Sequence, residues 1–298
     1  MLRRLRGAAF LTLALASASA TSVQLKDDRG VTVDLPGRPA RIIALSPHLA
    51  EIVFAAGAGA QLAAVVRYSD YPEAAARLPR VGDASRIDLE RVIALKPDLI
   101  LGWKSGNPAA DLERLERLGF PLFITEPARL SDIARLLRAV GVLAGTQAEA
   151  ASAAAAFESG LDLLRAHYSV RTPVRVFYEI WHRPLLTVNR AHLISDVIAL
   201  CGGHNVFADA AVLTPSVSLE AVLAARPQVI LGGSSAVRPE TLSSEWRQAP
   251  MAVLRQLPVR YVPADLIQRQ TPRIAQGARA VCEHLEGVRE MRAPNRER

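Results

Sequence analysis

The chain has 298 residues, enough for two domains, with 22% charged residues and a formal net charge of +7. Its cations are mostly scattered arginines, and no basic run is interleaved with aromatic residues, which disfavours a nucleic-acid-binding protein.

Residues 1–20 have the three parts of a secretory signal peptide. Three arginines in the first six residues precede an apolar stretch over residues 8–16, and a small-residue cleavage motif ends at Ala20. The apolar stretch is too short to span a membrane, and no later stretch is long enough either. The sequence therefore predicts an exported, soluble protein that is cleaved after Ala20.

Strand and helix patterns then alternate through an N-terminal lobe over residues 21–145. Strands are predicted over residues 23–25, 31–35, 41–45, 61–66, 99–101 and 122–124, and helices from Ser46 and over residues 89–95, 109–118 and 131–143. Ser46 followed by Pro47 is a typical helix start, with the serine as cap. This alternation indicates right-handed βαβ units and a mostly parallel sheet.

An alanine-rich helix is predicted over residues 146–169, and its unbroken length suits a rigid connection between two lobes. The strand and helix pattern resumes over residues 170–290, with strands at 174–178, 229–231 and 260–262 and a last helix over 272–288. The charged tail over residues 291–298 is predicted to be disordered.

Two segments of the chain recur in the same order. ERVIALKPDLILG at Glu90–Gly102 returns as EAVLAARPQVILG at Glu220–Gly232, and AEIVFAAGAG at Ala50–Gly59 resembles SDVIALCGGH at Ser195–His204. The first pair predicts a helix that ends before a proline, a tight turn and a buried strand. The repeat indicates two similar α/β lobes with a cleft between them.

The chain has two cysteines, Cys201 and Cys282. An even number in an exported protein favours one disulfide, and two buried free thiols remain the alternative. Two cysteines alone do not make a metal site, so none is predicted.

The motifs RIIALSPHLAEIVFAAG, YSDYP, LERVIALKPDLILGWKSGN, CGGHNVF and DLIQRQTPR carry a family resemblance. The chain resembles the periplasmic binding proteins whose two lobes are joined by one long helix and which serve cobalamin, haem and ferric-siderophore importers. YSDYP, the segment around Trp103 and the paired cysteines are most similar to the cobalamin-binding branch. The resemblance implies an α/β fold with two Rossmann-like lobes, each with a mostly parallel sheet.

The resemblance also implies a function and partners. A monomeric receptor would capture cobalamin in the periplasm and deliver it to the permease dimer and ATPase subunits of an ABC importer, with no catalytic residue and no cofactor beyond the transported ligand. Haem or a ferric siderophore is the alternative ligand. A secreted α/β enzyme is a remote alternative, because the chain has no G-x-S-x-G, P-loop, G-x-G-x-x-G or H-E-x-x-H motif.

Matching motif positions imply roles for individual residues. The implied ligand-binding residues are Tyr68, Trp103, Trp181, Asp265, Leu266, Ile267, Gln268 and Arg269. Glu90 and Glu220 match the two lobe-tip glutamates that dock onto permease arginines, and Cys201 and Cys282 match the disulfide pair. The chain departs from the pattern at Ala84, where a tryptophan is expected, and at Leu266 and Ile267, where aromatic residues are expected.

Each of these residues also has a purely structural interpretation. Tyr68 fits a surface loop, Trp103 fits a half-buried packing position, and the two glutamates fit solvated helix starts. His48 or His182 is a possible ligand to the metal of cobalamin or haem, although a core or solvated histidine is the commoner role. Trp246 lies in a charged segment and is a candidate lid residue.

Overall fold

The computed structural model describes residues 22–233 and 238–292. The predicted signal peptide and residues 293–298 of the predicted tail lie outside those ranges. Within them, no helix combines the length and the apolar character needed to cross a membrane.

Strands and helices alternate throughout the described ranges. The strands are β1 (Val23–Lys26), β2 (Thr32–Leu35), β3 (Ile42–Ala44), β4 (Leu62–Val65), β5 (Gly82–Asp83), β6 (Arg86–Ile87), β7 (Leu99–Trp103), β8 (Leu122–Thr125), β9 (Val174–Glu179), β10 (Gly203–Asn205), β11 (Val229–Gly232) and β12 (Val259–Tyr261). The helices are α1 (Pro47–Ala55), α2 (Glu73–Ala76), α3 (Leu89–Leu95), α4 (Ala109–Arg117), α5 (Leu130–Ala144), α6 (Gln147–Tyr168), α7 (Leu193–Leu200), α8 (Leu219–Ala224), α9 (Pro239–Arg247), α10 (Ala252–Arg255), α11 (Ala264–Ile267) and α12 (Ile274–Arg292).

Two four-stranded parallel sheets form the two lobes, as the alternating pattern predicts. The N-terminal sheet has the order β4-β3-β7-β8 and the C-terminal sheet has the order β10-β9-β11-β12. The two orders are equivalent, with β3 matching β9 and β7 matching β11. The central strands β3 and β9 are almost wholly buried, which is why their sequences are mainly apolar.

The internal repeat is confirmed as the same unit in each lobe. Its first copy forms α3 and β7, and its second copy forms α8 and β11. The cation before each proline, Lys96 or Arg226, has a left-handed backbone with φ of 44° or 45°. A left-handed residue ends a helix, and the following proline prevents its continuation.

The connecting helix α6 packs into an apolar core that is continuous between the lobes. It has 22 residues and buries Ala150, Ala154, Phe157, Leu161 and Leu164. Their core cluster also contains strand residues of both sheets and buried residues of α5 and α12. A helix packed in this way resists bending, because bending it away from the lobes would expose apolar surface at a cost of about 25 cal/mol per Å².

A disulfide joins Cys201, directly after α7, to Cys282 in α12, so the prediction of a paired state is confirmed. Both cysteines are fully buried. The bond therefore fixes the last helix against the β9-α7-β10 unit of the C-terminal lobe.

Two predictions about the C-terminal lobe were wrong. Helix α12 continues to Arg292, four residues beyond its predicted end and into the predicted disordered tail, because Arg289 donates hydrogen bonds to the carbonyls of Thr172 and Cys201. Trp246 is 1% exposed and is not a lid. It lies on the inner face of α9, where its ring packs edge-on against Phe177 with 5.7 Å between centroids.

Candidate ligand-binding cleft

The junction of β3 and α1 places a buried histidine near the carboxyl end of β3. Ser46 caps α1 as predicted and accepts a hydrogen bond from the Leu49 amide. Its hydroxyl also lies 2.8 Å from Nδ1 of His48, which is 3% exposed. Burial, reinforced by the charge of Arg269, lowers the pKa of His48 to about 3. The imidazole is therefore uncharged at neutral pH.

Trp103 ends β7, at the carboxyl edge where open α/β sheets bind ligands. The indole is half-buried and meets the ring of His48 edge-on, with 5.1 Å between centroids. Its N–H is buried and has no hydrogen-bond partner in the described part of the chain. Trp103 and His48 thus form one aromatic pair between the ends of β3 and β7.

The loop after β4 presents Tyr68 and Tyr71 to solvent. Tyr68 is 67% exposed and has a left-handed backbone with φ of 66°. Such a conformation costs a bulky residue roughly 1–3 kcal/mol and is concentrated at functional sites. Ser69, between the two exposed residues Tyr68 and Asp70, is fully buried and anchors the loop.

An ion-pair cluster joins the two lobes. Glu51 on α1 is 3% exposed and accepts two hydrogen bonds from Arg273, at 2.8 and 2.6 Å, and one from Arg269 at 3.0 Å. Arg269 also contacts Asp70 at 2.9 Å and Asp265 at 2.9 Å. We call these five residues the interlobe cluster. Since Glu51 and Asp70 belong to one lobe and the other three to the second, the cluster connects the two lobes by ion pairs.

Hydrogen bonds within the cluster shift the pKa values of Arg269 and Asp70 towards their charged forms. Burial acts to lower the pKa of Arg269, but its hydrogen bonds to Asp70 and Glu51 outweigh burial and raise it. Burial acts to raise the pKa of Asp70, and the hydrogen bond from Arg269 reverses the sign, so that the pKa lies below its ordinary value. Arg273 also stacks on Tyr71, with its guanidinium carbon 4.0 Å from the ring centroid.

The five-residue loop implied by the family motif does not act as one surface. Asp265 and Arg269 belong to the interlobe cluster, and Leu266 is half-buried. Gln268 donates to the Gly233 carbonyl at 2.6 Å. Ile267 is fully buried in the core, so the expectation that its side chain lines the cleft is wrong. The short helix α11 turns that residue inwards.

Trp181 and Ala84, the two remaining positions that the sequence singled out, lie apart from the contacts of the interlobe cluster. Trp181 is 46% exposed, and its indole N–H donates to the Arg183 carbonyl at 2.9 Å. It makes no aromatic or hydrogen-bond contact with the interlobe cluster in the described ranges. The Ala84 carbonyl accepts a hydrogen bond from Asn107 at 3.0 Å, so this loop is held near Trp103 without an aromatic side chain.

Sequence reasoning missed Glu51 and Arg273 as site residues. Both lie inside quoted motifs, AEIVFAAG and DLIQRQTPR. The available signal was a carboxylate within an otherwise apolar helix, which is buried only when it is paired. Nothing local identified its partner, because the two residues are 222 positions apart.

Glu90 and Glu220 occupy equivalent places in the two lobes. Each is exposed and is the second residue of its helix, α3 or α8. The helices are capped by Asp88 and Ser218, whose side chains accept from backbone amides at 3.0 and 3.2 Å. Hydrogen bonds from its own backbone amide and from Ser218 lower the pKa of Glu220. The positions suit two solvent-facing anions, one per lobe.

Two matched lobes are joined by one helix, and the comparisons agree with that architecture. Residues 42–252 match the family model described as periplasmic binding protein. The chain belongs to the periplasmic binding protein family.

Relatives of this periplasmic binding protein carry more specific names. It is 37% identical over 252 residues to the vitamin B12-binding protein of Vibrio parahaemolyticus, a match that covers 85% of the chain and 91% of the relative. The crystal structure of the periplasmic vitamin B12 binding protein BtuF of Vibrio cholerae superposes with a TM-score of 0.77 at 37% identity, covering 85% and 98% of the two chains. The periplasmic heme-binding protein RhuT from Roseiflexus sp. RS-1 has a TM-score of 0.73 at 25% identity, covering 83% and 98%.

The buried state of His48 predicts acid sensitivity. An unfolded histidine takes up a proton below about pH 6.5, whereas the folded one does not until about pH 3. Its contribution to stability is thus fully present above pH ~6.5 and is lost as the pH falls. One such group costs about 2 kcal/mol of unfolding free energy between pH ~6.5 and pH ~4.5.

Urea denaturation at several pH values measures this loss in the wild-type protein and in His48→Asn. As the pH falls, the free energy of unfolding of the variant should decrease less steeply than that of the wild type. The difference in slope should correspond to about one proton taken up on unfolding. His192, whose pKa burial lowers to about 4, supplies a second slope that remains in the variant. Equal slopes for the two proteins would contradict the assignment.

Proposed function

We propose that this protein captures cobalamin between its lobes in the periplasm and delivers it to an ABC importer. The observation that carries the proposal is the similarity, over 85% of the chain, to proteins named for vitamin B12 binding. The arrangement of aromatic residues supports it, because Trp103 is only half-buried at the end of β7 and Tyr68 is 67% exposed, so both are available for contact with a flat ring. Asp265 and Arg269 are available for the amide side chains of the corrin ring.

Binding rather than catalysis is the activity that these groups suit. Most ionised side chains of the cleft already neutralise one another in the interlobe cluster. A ligand with amide groups can exchange hydrogen bonds with Arg269 and Asp265 without leaving a buried charge unpaired. Of the sequence-derived ligand set, Tyr68, Trp103, Asp265, Gln268 and Arg269 remain in the proposal, with Leu266 and Trp181 as peripheral contacts.

Isothermal titration tests the ligand, and Trp103→Ala tests the site. We expect one-to-one, sub-micromolar binding of cyanocobalamin that weakens about tenfold in Trp103→Ala, because stacking on an aromatic ring contributes roughly 1 kcal/mol or more beyond area. Leu163→Ala, a truncation of a residue on α6 that is 72% exposed, is the control and should bind as the wild type does.

Parallel titrations with haemin and a ferric hydroxamate separate the ligand classes. Saturable haemin binding without cobalamin binding would reject the cobalamin assignment and retain the receptor role. The similarity to the haem-binding protein makes haemin the first comparison.

Docking onto the importer is the second part of the proposal. Glu90 and Glu220 would each meet a cation of a dimeric permease, and the monomeric receptor would thereby be oriented along its pseudo-twofold axis. We expect Glu90→Lys and Glu220→Lys each to reduce cobalamin uptake severalfold in cells of the native host, and the double variant to abolish it. Their affinity for cobalamin in titrations should not change.

Glu113→Lys is the matched control, because Glu113 is an exposed glutamate on α4. Its uptake should equal that of the wild type. Uptake that survives the double charge reversal would exclude these glutamates from docking.

A further inference from the structure

A second polar cluster lies within the C-terminal lobe. It contains Glu179 at the end of β9, His182 in the loop that follows and Glu245 on α9. Their side chains are 5%, 21% and 23% exposed. Three potential metal ligands are therefore held together in a largely enclosed place, although no spacing along the chain indicated a metal site.

The separations of the ligand atoms suit a metal ion. His182 Nδ1 lies 3.1 Å from Glu179 Oε1 and 3.6 Å from Glu245 Oε2, and the three atoms all lie within 4.8 Å of one another. Ligands at about 2.0–2.2 Å from a tetrahedral ion are separated by roughly 3.3–3.6 Å. The separation of His182 from Glu245 lies within this range, and the separation of His182 from Glu179 lies just below it.

Glu245 has an oxygen that lacks a hydrogen bond. Its Oε2 atom is buried and has no hydrogen-bond partner in the described ranges, since 3.6 Å to His182 is too long for one. Two carboxylates thus face a single imidazole. A buried carboxylate that is not fully hydrogen-bonded is stabilised either by a proton or by a nearby cation, and a bound metal ion would supply the cation to both carboxylates.

Trp246 orients the first carboxylate. Its indole N–H donates to Glu179 Oε2 at 2.5 Å, which leaves Glu179 Oε1 directed at His182. The Trp246 and His182 rings also meet edge-on, with 6.4 Å between centroids. Hydrogen bonds of this kind fix metal-ligating carboxylates in known sites, and their loss lowers metal affinity.

A cavity of about 380 Å³ adjoins the cluster, and its lining includes His182, Glu245 and Trp246. The remaining lining is mainly apolar, with Leu185, Val217 and Leu219 among its members. Three protein ligands beside a cavity leave space for water as a fourth ligand. The cavity also gives a small ion a route to the site.

We propose that Glu179, His182 and Glu245 bind a divalent transition-metal cation, with Zn²⁺ as the best fit. One imidazole and two carboxylates are ligands that Zn²⁺ accepts, and their two negative charges balance the ion. The bound ion would tie the loop after β9 to α9. The site shares no residue with the interlobe cluster.

Titration of Zn²⁺ into protein purified without an affinity tag tests the proposal. We expect one-to-one binding, with affinity at least tenfold lower in His182→Gln and in Glu245→Gln. Zn²⁺ should raise the unfolding temperature of the wild-type protein and leave that of both variants unchanged. Co²⁺ gives a second readout, because an ion bound by these ligands has visible absorption bands that both variants should lose.

His204→Gln is the matched control, because His204 is an exposed histidine of the same lobe. It should bind Zn²⁺ as the wild type does, and far-UV circular dichroism establishes that each variant is folded. Failure of the wild-type protein to bind Zn²⁺, or binding that His182→Gln and Glu245→Gln leave intact, would overturn the proposal.

Discussion

Replacing both Cys201 and Cys282 with alanine should lower the free energy of unfolding by about 4 kcal/mol. The disulfide spans a sequence separation of 81 residues, and closing a loop of that length removes roughly 4–5 kcal/mol of chain entropy from the unfolded state. The bond joins the residue after α7 to the middle of α12 within the buried core, so its loss also removes the covalent link between the last helix and the rest of its lobe. Urea denaturation of the oxidised protein and of the double variant measures the difference.

Alanine is the right replacement at these positions, because serine would bury a hydroxyl group and add an unrelated cost. The wild-type protein treated with reductant should approach the stability of the double variant. The same reductant should leave the double variant unchanged, which controls for other effects of the reagent. A loss below about 1 kcal/mol would show that the cross-link does not limit the unfolded state in the way that the loop length implies.

The architecture could be predicted because its signals are local. Ser46 before Pro47 marks a helix start within three residues, and the repeated segment marks a helix, a turn and a strand within thirteen. Matching segments in one order then implied matching lobes, and the equivalent strand orders confirm it. The even cysteine count indicated a disulfide without specifying its surroundings.

The candidate site could be predicted only in part, because its contacts join distant segments. Arg269 and Asp265 were expected to act in one loop, and they do meet. Their link to Glu51 depends on how two lobes pack, which no local pattern encodes. Ile267 was misplaced for a related reason: a single helical turn decides whether a side chain points to the core or the cleft.

The surroundings of Trp246 show the same limit. Its neighbours in sequence are polar, which favoured an exposed position. In α9 it shares a face with Leu242, four residues earlier, and both are buried. Helical periodicity in this segment was the signal that would have corrected the prediction.

The second large effect is expected on the free energy of unfolding when Glu51 is removed from the interlobe cluster. Glu51→Ala should cost about 3–5 kcal/mol of unfolding free energy, because it removes the carboxylate that three guanidinium hydrogen bonds reach and leaves charge uncompensated in a buried place. Arg269 keeps Asp70 and Asp265, whereas Arg273 makes no other carboxylate contact within hydrogen-bond distance in the described ranges. The cost should therefore arise mainly at Arg273, and urea denaturation measures it.

A double-mutant cycle separates the energy of the Glu51–Arg273 ion pair from the cost of leaving one largely buried charge unpaired. Arg273→Met in the Glu51→Ala background should recover part of the loss, because an apolar side chain removes the unpaired charge. Glu73→Ala, which breaks an exposed pair with Arg77, is the control and should change stability by less than about 1 kcal/mol. If Glu51→Ala cost no more than this control, the buried pair of Glu51 would not contribute measurably to stability. A large cost that Arg273→Met relieves would instead show that Glu51 stabilises the protein by pairing with a largely buried arginine of the other lobe.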